Sequence, residues 1–247
     1  MLNILVCKDT FPLLDFFQGD LNENYYLRFM QPNQEIAKKI AESLLQIKAI
    51  KLQLDQPFTW ASGWKSPIYC DNRISLSHPM VRTYIRQALV KIIEAKYGKP
   101  DVIAGVATAA IAQGALVAEA MGVPFVYVRS SPKDHGKENL IEGEFNDGQT
   151  VVVIEDLIST GKSSLKAVEA LRSAGGNVKG LISIFSYGFE EASLNFKNAQ
   201  CPFISLCDYS TLLQEAIRSK YIKEDDLLTL ENWKTDPANW GLKMEKL

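Results

Sequence analysis

The chain carries 27 Lys and Arg against 29 Asp and Glu in 247 residues, a formal net charge of −2, with 47% hydrophobic and 23% charged residues. Its length suits one α/β domain with appendages, or at most two small domains, with room for a large core. The near-balanced charge argues against bulk electrostatic attraction to a polyanion, so no nucleic-acid partner is expected.

Residues 1–29 open on apolar side chains, but Lys8, Asp9 and Asp15 interrupt them before the uncharged core of a signal peptide is established. We read the stretch as an N-terminal extension of unassigned role and expect a single domain over residues 30–247. No run approaches the roughly eighteen apolar residues of a membrane span, so no membrane association is expected. The segment "QPNQEIAKKIAESLLQIKAI" puts Ile36, Ile40, Leu44 and Ile47 on one stripe of an amphipathic helix. In "DQPFTWASGWKSPIYCDNR" aromatic and small residues alternate, which predicts short strands and a turn at Ser62-Gly63. Residues 79–97 read as a helix.

A rhythm then sets in. "DVIAGVA" is a strand, 109–121 a helix, "PFVYVR" a strand, 130–147 a polar loop, "TVVVIED" a strand and 162–174 a helix. "GLISIFSYGF" and "FISLCDY" follow as strands with a short helix between them. This alternation predicts a mostly parallel central sheet flanked by helices. Such sheets bind ligands at the carboxyl ends of their strands, which here carry Ala107-Thr108-Ala109, Arg129, Glu155-Asp156 and Tyr187-Gly188.

The four cysteines (Cys7, Cys70, Cys201, Cys207) form neither a CxxC pair nor a dense framework, the pattern of reduced thiols in a cytoplasmic protein. With only His78 and His135 as histidines, a zinc centre built by the protein alone is not expected.

The stretch "VVVIEDLISTGKSS" ends as a nucleotide-binding P-loop does, in Gly161-Lys162-Ser163. A P-loop needs glycine where Asp156 stands, because its backbone must curl its N–H groups around phosphate and a carboxylate there repels the anion. What remains is a strand, an acid pair, a hydroxyl-rich loop and a helix. Its N-terminus favours a phosphate, while Glu155 and Asp156 call for hydroxyls or a bound cation on the same ligand. A solvated turn with Ser159 or Thr160 as a plain N-cap accounts for the pieces, but not for the whole string. The loop "RSSPKDHGKENLIEGEF" holds Arg129, Lys133, His135 and Lys137, cations able to close over a site and stabilise a departing polyphosphate. A plain surface loop has a similar composition.

Together, "FTWASGWKSPIYCDNR", "DVIAGVATAAIAQGALVAEAMGVPFVYVRSSPKDHGKENLIEG", "VVVIEDLISTGKSS" and "ISIFSYGF" resemble the orotate phosphoribosyltransferases, from about residue 31 onward. The third string is common to phosphoribosyltransferases at large, whereas the first two belong to the orotate branch. The resemblance implies the type I phosphoribosyltransferase fold, with a small N-terminal hood and a mobile active-site loop. It also implies the reaction of orotate with phosphoribosyl pyrophosphate, giving orotidine 5′-monophosphate and pyrophosphate in UMP biosynthesis. Magnesium would arrive on the substrate rather than on direct protein ligands, and a homodimer would share its active sites.

By the same resemblance, Lys133, His135 and Asp156 would be catalytic. Phosphoribosyl pyrophosphate would be held by Arg129, Lys133, His135, Glu155, Asp156, Leu157, Ile158, Ser159, Thr160, Gly161, Lys162 and Ser163. The acids would take the ribose hydroxyls and residues 159–163 the 5′-phosphate. Ser159, Lys65 and Arg73 would meet orotate. Three departures stand out: Ser130 and Ser131 occupy the place of a loop lysine, "FSYGF" lacks an arginine found in some relatives, and Lys162 stands where a small residue is common. Transfer to another base and a regulator without turnover remain as other readings. The orotate-branch strings weigh against the first, and the retained Lys133, His135 and acid pair against the second.

Overall fold

A computed structural model describes residues 33–60, 62–131 and 140–241. The first described element is α1 (Gln34–Gln46), started by Asn33, whose side chain accepts from the N–H groups of Glu35 and Ile36. Its Ile36, Ile40 and Leu44 are buried at the predicted helical spacing, while Ile47 serves as the C-cap. Two small antiparallel pairs follow: β1 (Ile50–Leu52) with β4 (Ile68–Cys70), and β2 (Phe58–Thr59) with β3 (Lys65–Ser66). Gly63, at φ +86°, turns the β2–β3 hairpin by donating to Trp60 O over 2.8 Å. These pairs make the hood.

A 3₁₀ turn (Asn72–Ser77) and α2 (Pro79–Tyr97) lead into the main sheet. Its elements are β5 (Val102–Val106), α3 (Ile111–Met121), β6 (Phe125–Val128), β7 (Ile141–Glu142), β8 (Thr150–Ile158) and α4 (Lys162–Ser173). Then come β9 (Asn177–Ser186), α5 (Glu190–Asn198), β10 (Phe203–Asp208), α6 (Tyr209–Arg218) and α7 (Leu227–Thr235). The six strands lie in the order β10-β9-β8-β5-β6-β7, all parallel except β7, which runs antiparallel to β6. The mostly parallel sheet flanked by helices is as the alternation predicts.

The apolar run of β8 is buried on both faces, as a central parallel strand requires. Val152 and Ile154 join a core with α1, α2, α3, α6 and α7, where Ile40, Leu89 and Trp233 are fully buried. Val151 and Val153 point the other way, into a core with Val168 and Leu171 of α4 and Phe196 of α5. From β5 the chain crosses to β6 on one side and returns to β8 on the other. The carboxyl ends of β5 and β8 therefore flank the point where strand order reverses, where open α/β sheets form their ligand crevice. The Ala107–Thr108 peptide at the end of β5 is cis.

Within the sheet, two details depart from the sequence reading. Strand β8 runs two residues past the acid pair, because Leu157 and Ile158 keep pairing with Phe185 and Ser186 of β9. Inside the predicted polar loop, Ile141 buries its side chain and pairs with Val128 as β7. A two-residue strand among charged neighbours leaves no periodic signal.

Candidate active site

The site is built from the end of β8 outward. Glu155 is 5% exposed, and both of its carboxylate oxygens are engaged: Oε2 accepts from Ser164 Oγ over 2.8 Å and Oε1 from the Asp156 N–H over 3.0 Å. Burial first, then the charge of Asp156, pushes the Glu155 carboxyl well above the ordinary carboxylate range. Burial also raises Asp156, opposed by hydrogen bonds and by the nearby Arg73 charge. The backbone of Asp156 is fixed by Asn72, whose Nδ2 donates to Asp156 O over 2.7 Å.

Arg73 follows in chain order and forms a fork on Asp71, with Nε–Oδ1 at 2.7 Å and Nη2–Oδ2 at 3.0 Å. This hydrogen bond, with the guanidinium charge, holds Asp71 below its usual value. The hood's trailing end thus supplies a cation beside the β8 acids.

Beyond β8 the loop Ser159-Thr160-Gly161 opens α4. The N-cap is Gly161, at φ +76°, with no side-chain capping bond, so the Ser159 and Thr160 hydroxyls do not serve as the plain N-cap weighed above. Uncapped N–H groups at a helix start are donors for an anion. A Cβ on Gly161 would stand 2.5 Å from Phe196 Cε2, so helix α5 forbids any larger residue there. The same helix sends Asn195 Nδ2 to Thr160 O at 2.9 Å and Glu191 Oε1 to Lys162 Nζ at 2.6 Å.

The structure brings Asn72, Arg73, Glu155, Asp156 and the 159–164 loop together. Lys65 sits in β3, its Nζ on Thr59 Oγ1 at 3.0 Å and its stem against Gly241. Arg129 follows β6, its N–H on Leu140 O at 2.8 Å and its Nη1 3.5 Å from Glu142. Lys133 and His135 lie outside the described residues. Sequence reasoning missed Asn195 and the contacts that Ser164 and Asn72 make with the acid pair. Ser164 and Asn72 sit inside quoted motifs, but Asn195 lies in α5, 35 positions from its partner, and carries no local signal.

A family model described as "Phosphoribosyl transferase domain" matches residues 76–198. An orotate phosphoribosyltransferase of Bacteroides thetaiotaomicron is 56% identical over 207 residues, covering 84% of this chain and 98% of that protein. The chain belongs to the orotate phosphoribosyltransferase family. An orotate phosphoribosyltransferase of Phocaeicola vulgatus is 57% identical over 205 residues, 83% of this chain and 97% of its own. In three dimensions, the orotate phosphoribosyltransferase of Aeropyrum pernix superposes with a TM-score of 0.66 at 26% identity, covering 74% of this chain and 99% of that one.

Membership in the orotate phosphoribosyltransferase family disposes of the P-loop reading of Gly161-Lys162-Ser163. It also fixes the fold class as that of the type I phosphoribosyltransferases. Among the described residues no helix is long and apolar enough to cross a membrane.

Proposed function

We propose that the chain catalyses transfer of the phosphoribosyl group from phosphoribosyl pyrophosphate to orotate, giving orotidine 5′-monophosphate and pyrophosphate in UMP biosynthesis. The observation that carries this reading is 56% identity across 98% of an orotate phosphoribosyltransferase. It is supported by an acid pair and an uncapped helix start meeting where strand order reverses.

The chemistry fits those residues. As pyrophosphate leaves the anomeric carbon, positive charge grows on the ribose and negative charge on the leaving group. A carboxylate beside the first and cations beside the second act on the transition state more than on the ground state. Asp156 is the carboxylate we assign to the ribose, whereas Glu155, with both oxygens taken within the chain, acts mainly by holding the strand end. Residues 159–163 take the 5′-phosphate through N–H groups and hydroxyls. Arg129, Lys133 and His135 serve the pyrophosphate, and Ser159, Lys65 and Arg73 the orotate. Arg73 is the residue we assign to the orotate carboxylate, because its fork has the shape for one; orotate would have to displace Asp71, which engages Nε and Nη2 here.

Magnesium fits this donor set, since it favours oxygen ligands and retains substrate phosphates and waters. Bound to the substrate, it would neutralise part of the pyrophosphate charge. Asp156 then contributes a carboxylate near the ribose hydroxyls. The working unit we propose is a cytoplasmic homodimer, with the loop carrying Lys133 and His135 reaching into the neighbouring subunit's site.

The test is to mix the protein with magnesium and phosphoribosyl pyrophosphate, add orotate, uracil or hypoxanthine in turn, and follow pyrophosphate. Release should depend on orotate and on magnesium. Equal turnover with uracil overturns the orotate assignment, and undiminished turnover with a chelator overturns the metal.

A further inference from the structure

Helix α5 lies outside every motif that carries the family resemblance, yet three of its side chains converge on the 160–162 turn. Phe196, fully buried, occupies the space where a Cβ on Gly161 would stand. Glu191 pairs with Lys162, but that pair is largely exposed, with the lysine side chain 68% accessible, and contributes little. The third contact is directional: Asn195 Nδ2 donates to the carbonyl of Thr160 over 2.9 Å.

That bond sets the orientation of a peptide plane. The Thr160–Gly161 peptide is trans, and in a planar trans peptide the C=O and the following N–H point in opposite directions. With the carbonyl drawn toward α5, the Gly161 N–H faces away from it, to the side a phosphate must occupy because Phe196 and Asn195 close the other. At φ +76° Gly161 has no side chain to hinder rotation, so the plane needs an external hold. We propose that Asn195 is a positioning residue for phosphoribosyl pyrophosphate: it fixes the Thr160–Gly161 peptide so that the Gly161 N–H is presented to the 5′-phosphate. The inference rests on the phosphoribosyl pyrophosphate reading above and adds to it a residue that never touches substrate.

The 5′-phosphate stays far from the bonds that change, so its binding is the same in ground and transition states. Loss of such uniform binding raises KM and leaves kcat alone. Asn195→Ala, in a half-buried helix position where alanine is well tolerated, should raise KM for phosphoribosyl pyrophosphate about five- to tenfold, the size of one lost hydrogen bond. The expected kcat stays within about twofold. Inhibition by ribose 5-phosphate should weaken by the same factor, whereas inhibition by pyrophosphate, which does not use this loop, should not change. Asn195→Leu, similar in shape but without a donor, should repeat the pattern. An unchanged KM in both variants, or equal weakening toward ribose 5-phosphate and pyrophosphate, overturns the positioning role. Absence of orotate-dependent turnover in the unaltered protein would instead sink the function on which it rests.

Discussion

Ser164 Oγ donates to Glu155 Oε2 over 2.8 Å, joining the first turn of α4 to the end of β8. Both groups are buried, so the bond works in a low-dielectric setting where an unpaired carboxylate oxygen is expensive. Two consequences can be measured. Ser164→Ala leaves Oε2 without its partner and should cost about 1–3 kcal/mol of stability in a denaturant titration. A change under about 0.3 kcal/mol would mean that water replaces the hydroxyl, within the usual scatter of surface substitutions.

The pH dependence follows from the same burial. The folded-state pKa of Glu155 is raised above its ordinary 4.5, so the native state binds the proton more tightly than the unfolded state does. Stability from this group is present below the unfolded value and is lost as pH rises through the raised one. Glu155→Gln cannot titrate. Its melting temperature should therefore gain on the unaltered protein as pH climbs from 4.5 toward neutrality. A difference that stays constant across that window would contradict the assignment.

Lys162 is the residue that imitates a P-loop. Its ammonium is paired with Glu191 at 2.6 Å on an exposed surface, so an anion gains only a screened attraction from it. Lys162→Gly should keep kcat within about fivefold, under 1 kcal/mol in barrier height. Asp156→Asn should fall by about a hundredfold or more, because it removes charge opposite the developing ribose cation. Steady-state kinetics run side by side decide it, and the reverse ranking would move the transition-state role from Asp156 to Lys162.

Gly161→Ala meets two obstacles, the left-handed backbone and the ring of Phe196 only 2.5 Å from the added carbon. The backbone alone costs about 1–2 kcal/mol. The loop must shift to relieve the contact, so KM for phosphoribosyl pyrophosphate should rise about tenfold or more. Should the affinity survive, the 5′-phosphate is held elsewhere.

The proposed shared-site dimer would have a stoichiometric signature. Lys133→Ala and Asp156→Ala, each inactive alone, should rescue one another when mixed and allowed to exchange subunits. Random pairing makes about half of the dimers mixed, each with one intact site, so about a quarter of the activity should return. No recovery despite proven exchange points to sites built within one chain.

The sheet was legible because each of its long strands is an apolar run or an alternation bounded by turn residues, and "TVVVIED" is buried on both faces as such a run must be. The C-terminal helices were not anticipated, although α6 buries Tyr209, Leu212, Leu213 and Ala216 on one amphipathic face. Leu230 and Trp233 are the buried residues of α7, three positions apart in a nine-residue helix, too few to define a stripe. Their importance shows only in space, where Trp233 meets Trp60 of the hood and Tyr187, the residue after β9, edge-on, at ring distances of 5.6 and 5.7 Å. At the site, motif reading reached the residues on β8 and its loop. It missed Asn195 and the bond from Asn72 to Asp156, because a hydrogen bond spanning 84 or 35 positions leaves no trace in local spacing.

Strand β8 sits inside the sheet between two paired neighbours, whereas β7 is an edge held by Tyr127↔Glu142 and Val128↔Ile141. Amide hydrogens report such differences as exchange rates, since buried central strands open only with the whole domain and short edges open alone. The amides of Ile154 and Glu155 should therefore exchange near the global unfolding limit, and that of Ile141 orders of magnitude sooner. The carboxylates are then carried on the part of the molecule that opens last, and the segment leading to Lys133 and His135 borders the part that opens first. Opening of that edge leaves the acids and the phosphate loop in register.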